Sequence, residues 1–144
     1  MNDRTDRTPA QLYALVVGGT LVVAGIIGFF YSAAFGSPGE VDAVFGILDV
    51  NAWHNIVHIV TGALGLLALG YGARAYAGGL GVVYVVVAIW GFIIGSGENI
   101  LGFIPVNTED NVLHAILGLA GLGAYAATPA EQAPTRADRP AAAA

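Results

Sequence analysis

The chain contains no cysteine, which excludes a disulfide framework, a thiolate metal site and a cysteine nucleophile. It also lacks lysine, so five arginines carry all the fixed positive charge; with a net charge of -5 there is no basic patch to hold nucleic acid. Charge of either sign is scarce, 10% of residues against 56% apolar. A soluble domain needs roughly a quarter of its residues charged to cover its surface, so lipid is the expected main solvent. GxSxG and P-loop signatures are missing as well, and no catalytic residue is assigned. The sequence points to one domain of a non-enzymatic membrane protein.

What is present is four long apolar runs. Crossing about 30 Å of hydrocarbon takes about 20 helical residues. The runs are Leu12 to Phe35, Ala52 to Tyr71, Leu80 to about Ile94 with an extension through Leu101 to Ile104, and Val112 to Ala127, which must begin near Asn107 to span. They are continuously apolar rather than alternating, as barrel strands would be. The expected fold is all-α, a four-helix transmembrane bundle made of two parallel-repeated helical hairpins. Residues 11–127 form its domain, with repeat 1 at about 11–72 and repeat 2 at about 79–127. Residues 1–10 and 128–144 are polar, Pro-rich or Ala-repetitive, and are expected to be disordered cytoplasmic tails. The first run is longer than the apolar core of a signal peptide and is expected to be retained.

Four spans put Arg4, Arg7, Arg74, Arg136 and Arg139 on one side. That side is expected to be the cytoplasm, giving a multi-pass protein of the cell membrane with both termini inside. Glu40, Asp42, Asp49, Glu98, Glu109 and Asp110 then face outward. Trp53 and Tyr71 are expected at the interfaces, and Trp90 in packing. The expected partners are the lipid bilayer and either a second copy or another membrane protein.

The most specific signal is a repeat at an offset of 56 residues, FGILDVNAWHNIVHIVTGALGL from Phe45 and LGFIPVNTEDNVLHAILGLAGL from Leu101. It pairs Asn51 with Asn107, Asn55 with Asn111, His58 with His114, Gly62 with Gly118 and Gly65 with Gly121. Shared Asn and His in one register are improbable in so apolar a chain. Asn51 and Asn107 are placed to cap helices. Asn55, His58, Gly62 and Gly65 fall on one helical face, as do their partners, and the stripe is expected to point inward. Further small-residue faces run along Ala24, Gly28 and Ser32, and along Gly91 and Gly95. The first and third runs align poorly at the same offset.

Three uses compete for the outer-leaflet cluster of Asn55, His58, Asn111 and His114. The first is structural: neutral imidazoles hydrogen-bonded to each other or to the asparagines, needing no ligand. In the second the imidazoles ligate, either haem b, with Gly62 and Gly118 leaving room for a porphyrin face, or a divalent metal held by His54, His58, His114 and Glu98. The third is proton or solute passage, against which the inner halves of the spans offer no ionisable residue. The sequence favours the structural use with no bound cofactor; a metal- or haem-binding redox or transport module is the alternative.

The runs NAWHNIVHIVTGALGL and IPVNTEDNVLHAILGLAGL resemble the small prokaryotic membrane proteins of the domain of unknown function 4383 family. The likeness extends from Leu12 to Ala127. It rests on His54, Asn55 and His58 and on Asn107, Asp110, Asn111 and His114. The resemblance implies a four-helix integral membrane protein and carries no activity with it.

Overall fold

Thr8 opens the first helix with a capping box. Its hydroxyl accepts from the Gln11 N–H, the Gln11 side chain accepts from the Thr8 N–H, and Pro9 fills the first helical position. In the computed structural model, which describes residues 7–36 and 40–130, eight elements follow. Helix α1 spans Pro9–Gly28, strands β1 and β2 Asp42–Val44 and Leu48–Val50, and helices α2 and α3 Ala52–Leu67 and Ala73–Ile94. Strands β3 and β4 span Glu98–Ile100 and Ile104–Val106, and helix α4 spans Thr108–Ala127. The protein is thus mostly helical, and α1 and α3 are long and apolar enough to cross a membrane.

The strands correct the expected all-α pattern. β1 pairs antiparallel with β2, and β3 with β4, so each repeat is a helix, a short hairpin and a second helix. The extension of the third run through Leu101 to Ile104 is replaced by the second hairpin. Helix α3 stops because Gly95 adopts φ 102°, a conformation only glycine reaches without strain. Both hairpins turn the same way: Phe45 and Gly46 in one, and Leu101 and Gly102 in the other, take positive φ. The repeated glycine serves this turn.

The second helices are capped by the repeated asparagines. Asn51 accepts from the His54 N–H at 3.0 Å and Asn107 from the Asp110 N–H at 2.9 Å. The same side chains also join the hairpins. Asn51 Nδ2 donates to the Phe103 carbonyl at 2.6 Å, and Asn107 Nδ2 to the Ile47 carbonyl at 2.7 Å. Phe103 lies 56 residues beyond Ile47, so the two bonds are one interaction repeated about a pseudo-two-fold axis.

The opposite end is closed by Thr128, whose hydroxyl accepts from the Ala10 N–H at 2.9 Å while its carbonyl accepts from Arg74 at 2.8 Å. Gln11 donates to the Leu69 carbonyl there. The start of α1, the α2–α3 connection and the end of α4 therefore share one end, the hairpins occupy the other, and α2 and α4 run in the same direction. The Arg74 guanidinium lies 3.9 Å above the Tyr125 ring, a cation–π contact. Arg4, Arg136 and Arg139, with most of the two expected tails, lie outside the described residues.

Helices pack mainly as α1 on α2 and α3 on α4, with Tyr13, Ala14, Val17 and Leu21 of α1 meeting Ala77, Leu80 and Tyr84 of α3 at the centre. The inward glycine stripe lets backbones touch. A Cβ on Gly62 would meet Gly18 and Val22 of α1; one on Gly118 would meet Gly81 and Val85 of α3. Gly65 lies against Tyr76, and Gly121 against Tyr13. These pairs show that α1 and α3 also repeat, at an offset of 63 rather than 56, because the first hairpin connection is seven residues longer.

Candidate metal centre

At the hairpin end three imidazoles converge. His54 stands in the first turn of α2, His58 one turn further, and His114 at the matching position of α4. Ring centroids are 4.5 Å apart for His54 and His58, 6.1 Å for His54 and His114, and 6.3 Å for His58 and His114. Taking one nitrogen from each ring, all three lie within 4.8 Å of one another. Equivalent registers from the two caps bring His58 and His114 to one level; the Asn51 cap fixes the turn that carries His54.

His54 and His114 are only 2% and 6% exposed. Among the described residues, Nδ1 of each lacks a hydrogen-bond partner. A buried polar atom left unpaired costs about 1–3 kcal/mol, so these nitrogens are suited to a ligand. The His54 ring also hydrogen-bonds the backbones of Asp49 and Pro105, again 56 residues apart. With Nδ1 unpaired, those bonds fall to Nε2–H, leaving the Nδ1 lone pair bare. Metal-ligating histidines are commonly held this way, one nitrogen donating to a carbonyl while the other ligates.

The asparagines belong to the scaffold. Asn55 Nδ2 donates to the Ser32 carbonyl at 2.9 Å and packs on Gly28; Asn111 packs on Gly91. Each thus seals its own hairpin and makes no hydrogen bond to an imidazole. Glu98 is exposed on β3, outside the histidine group. The carboxylate inside the fold is Asp110, which stands where His54 stands in the other repeat. Its Oδ2 accepts from the Asp49 N–H at 3.0 Å and the Asn107 N–H at 3.3 Å, tying α4 to β2. Tyr84 of α3, unremarked in the sequence, brings its ring within 4.9 Å of His114.

Haem does not fit. The space reserved for a porphyrin beside Gly62 and Gly118 is filled by α1 and α3 backbone, and His54 occupies the gap beside His58. A small ion needs less room. In a tetrahedral site at about 2.0–2.1 Å from each nitrogen, ligand atoms lie roughly 3.3 Å apart, a modest closure from 4.8 Å. Three neutral imidazoles suit zinc, copper or nickel and leave one coordination position open.

Fold and site together define, among the described residues, a duplicated set of four helices with a largely buried cluster of three histidines. The chain belongs to the family described as domain of unknown function (DUF4383), whose family model matches residues 11–127. No curated protein and no solved structure matches it.

Proposed function

We propose that the protein is a four-span integral membrane protein of the cell membrane that holds a divalent transition-metal ion, zinc-like in its preferences, on His54, His58 and His114 in the outer half of the bilayer. The observation that carries the metal reading is the convergence of three imidazoles, His54 and His114 buried with an unpaired nitrogen each and His58 half-buried beside them. A purely structural cluster, which the sequence favours, is expected to spend those nitrogens on hydrogen bonds.

The membrane reading is supported by an inside-out surface. Leu12, Val23 and Ile26 of α1, Val60 and Leu64 of α2, Val86 and Ile93 of α3, and Ile116 and Leu119 of α4 are exposed, whereas histidine, asparagine and Asp110 are inside. In water such a surface is an aggregation hazard; in lipid it is the expected covering. At 1.5 Å per residue α1 and α4 reach about 30 Å and α2 about 24 Å, with its hairpin at the headgroup level. Trp53 stacks edge-on with Phe35 and Phe103 at that end, as interfacial aromatics do. Every described acid is at or beside the hairpins, and Arg7 and Arg74 are at the other end. This supports cytoplasmic termini.

The test is elemental analysis of protein purified from membranes without added chelator. About one equivalent of metal per chain is expected, falling to background in a His58→Ala, His114→Ala double variant that still resides in the membrane. Background metal in the unmodified protein, unchanged after incubation with zinc, would leave the structural reading standing.

A further inference from the structure

A cavity of about 610 Å³ lies between α1, α4 and the first hairpin, within the usual range for small-molecule sites. Its walls are apolar. Val16 and Val23, both 55% exposed on the outer face of α1, form one side, so the opening faces the surroundings of the helices rather than the tails. The polar groups gather where His58, Tyr84, His114 and Asp110 line it. Tyr84 is 4% exposed, and its hydroxyl makes no close hydrogen bond; the nearest side-chain group is the Thr61 hydroxyl, which gives its own proton to the Val57 carbonyl at 2.7 Å. A buried hydroxyl with no close acceptor, next to an imidazole, at the end of an apolar slot suits a neutral carbonyl on a lipophilic body.

Charge narrows the choice. Among the described residues no arginine lines the cavity, Asp110 does, and Arg7 and Arg74 stand at the far end of the fold. A fatty acid or phospholipid headgroup would bring its anion to a carboxylate with no cation nearby. A flat carbonyl-bearing ring meets no such repulsion and can stack among the Tyr84, His58 and His114 rings.

We propose that this cavity binds a membrane-dissolved isoprenoid quinone, with a ring carbonyl accepting from the Tyr84 hydroxyl beside His114 and the tail lying between α1 and α4. The proposal rests on the membrane reading; it shares His58 and His114 with the ion site, whereas His54 does not line the cavity.

The test uses full-length protein in phosphatidylcholine nanodiscs, equilibrated with a short-tailed benzoquinone against protein-free discs. Saturable binding near one quinone per chain is expected. Tyr84→Phe, which removes a hydroxyl that makes no close hydrogen bond in the fold, should weaken it about tenfold, the worth of one good hydrogen bond. Gly19→Leu should abolish it, because Gly19 lines the cavity and a Cβ there meets nothing within 4 Å, so the new side chain fills the slot without moving a helix. His54→Ala should lose metal yet keep the quinone, which separates failure of the metal reading from failure of this one. Equal binding to all variants, no saturable binding above empty discs, or displacement by oleate as effective as by quinone would each overturn the proposal. Protein that stays out of the discs would overturn the membrane reading beneath it.

Discussion

Replacing Gly62 by alanine tests whether the glycine stripe sets the spacing of the helices. The added Cβ would stand 2.5 Å from the Gly18 carbonyl oxygen and 2.8 Å from the Val22 nitrogen, where unstrained contacts begin near 3.4 Å. Both neighbours are backbone, so rotamer changes give no relief and α1 must move off α2 by roughly 0.9 Å. Overpacking of this kind costs about 1–3 kcal/mol, and the better helix propensity of alanine returns up to about 1 kcal/mol. A net loss of about 1–2 kcal/mol is expected. Gly118→Ala meets Val85 N at 2.8 Å and Gly81 O at 3.0 Å, a smaller shortfall, and should lose about half as much. Gly19→Ala is the control: its Cβ meets nothing within 4 Å, so it should be neutral or slightly stabilising. Thermal unfolding in mild detergent, followed by circular dichroism, orders the three as Gly62→Ala below Gly118→Ala below Gly19→Ala. Three equal melting temperatures would refute the argument.

The joint between the hairpins gives a second expectation. Asn107→Ala removes a cap bond and the bond to the Ile47 carbonyl, for about 2–3 kcal/mol in the same melt. Asn51→Ala should cost as much, with a less than additive double variant because the two bonds share one interface. Asp110→Ala leaves the Asp49 and Asn107 N–H groups without their acceptor and should lose about 2 kcal/mol or more, while Asp110→Asn, which keeps an acceptor oxygen, should recover most of it. Reporter fusions at either terminus should read as cytoplasmic, and labelling of the tails from outside intact cells would reverse the orientation.

Which parts were legible follows from what apolar sequence can encode. The second helix of each repeat was visible because Asn51, Asn55 and His58 recur as Asn107, Asn111 and His114, and polar identities stand out against leucine and glycine. The matching first helices were not, since an offset shifted to 63 among Val, Gly and Ala looks like chance until Gly18 and Gly81 are seen in equivalent contacts. Three-residue strands are too short to show a period. The only trace of the hairpins was the repeated Gly46 and Gly102, and those glycines sit at the turns. Helical spacing put Asn55 and His58 on one face, but a face is wide: Asn55 turns toward Ser32 while His58 turns toward His114. His54 was already named with His58 and His114 as a metal ligand; that Glu98 stands outside their group needed coordinates. So did Tyr84 and the cavity, which depend on contacts between repeats.

The central claim is that the duplicated hairpins assemble one ligand set from His54, His58 and His114. Cobalt(II) substitution reads it directly. An intense visible d–d absorption of a four-coordinate ion at one equivalent per chain, lost separately in His54→Ala, His58→Ala and His114→Ala, is the predicted result; the weak spectrum of octahedral aqueous cobalt, identical in all four proteins, would contradict it.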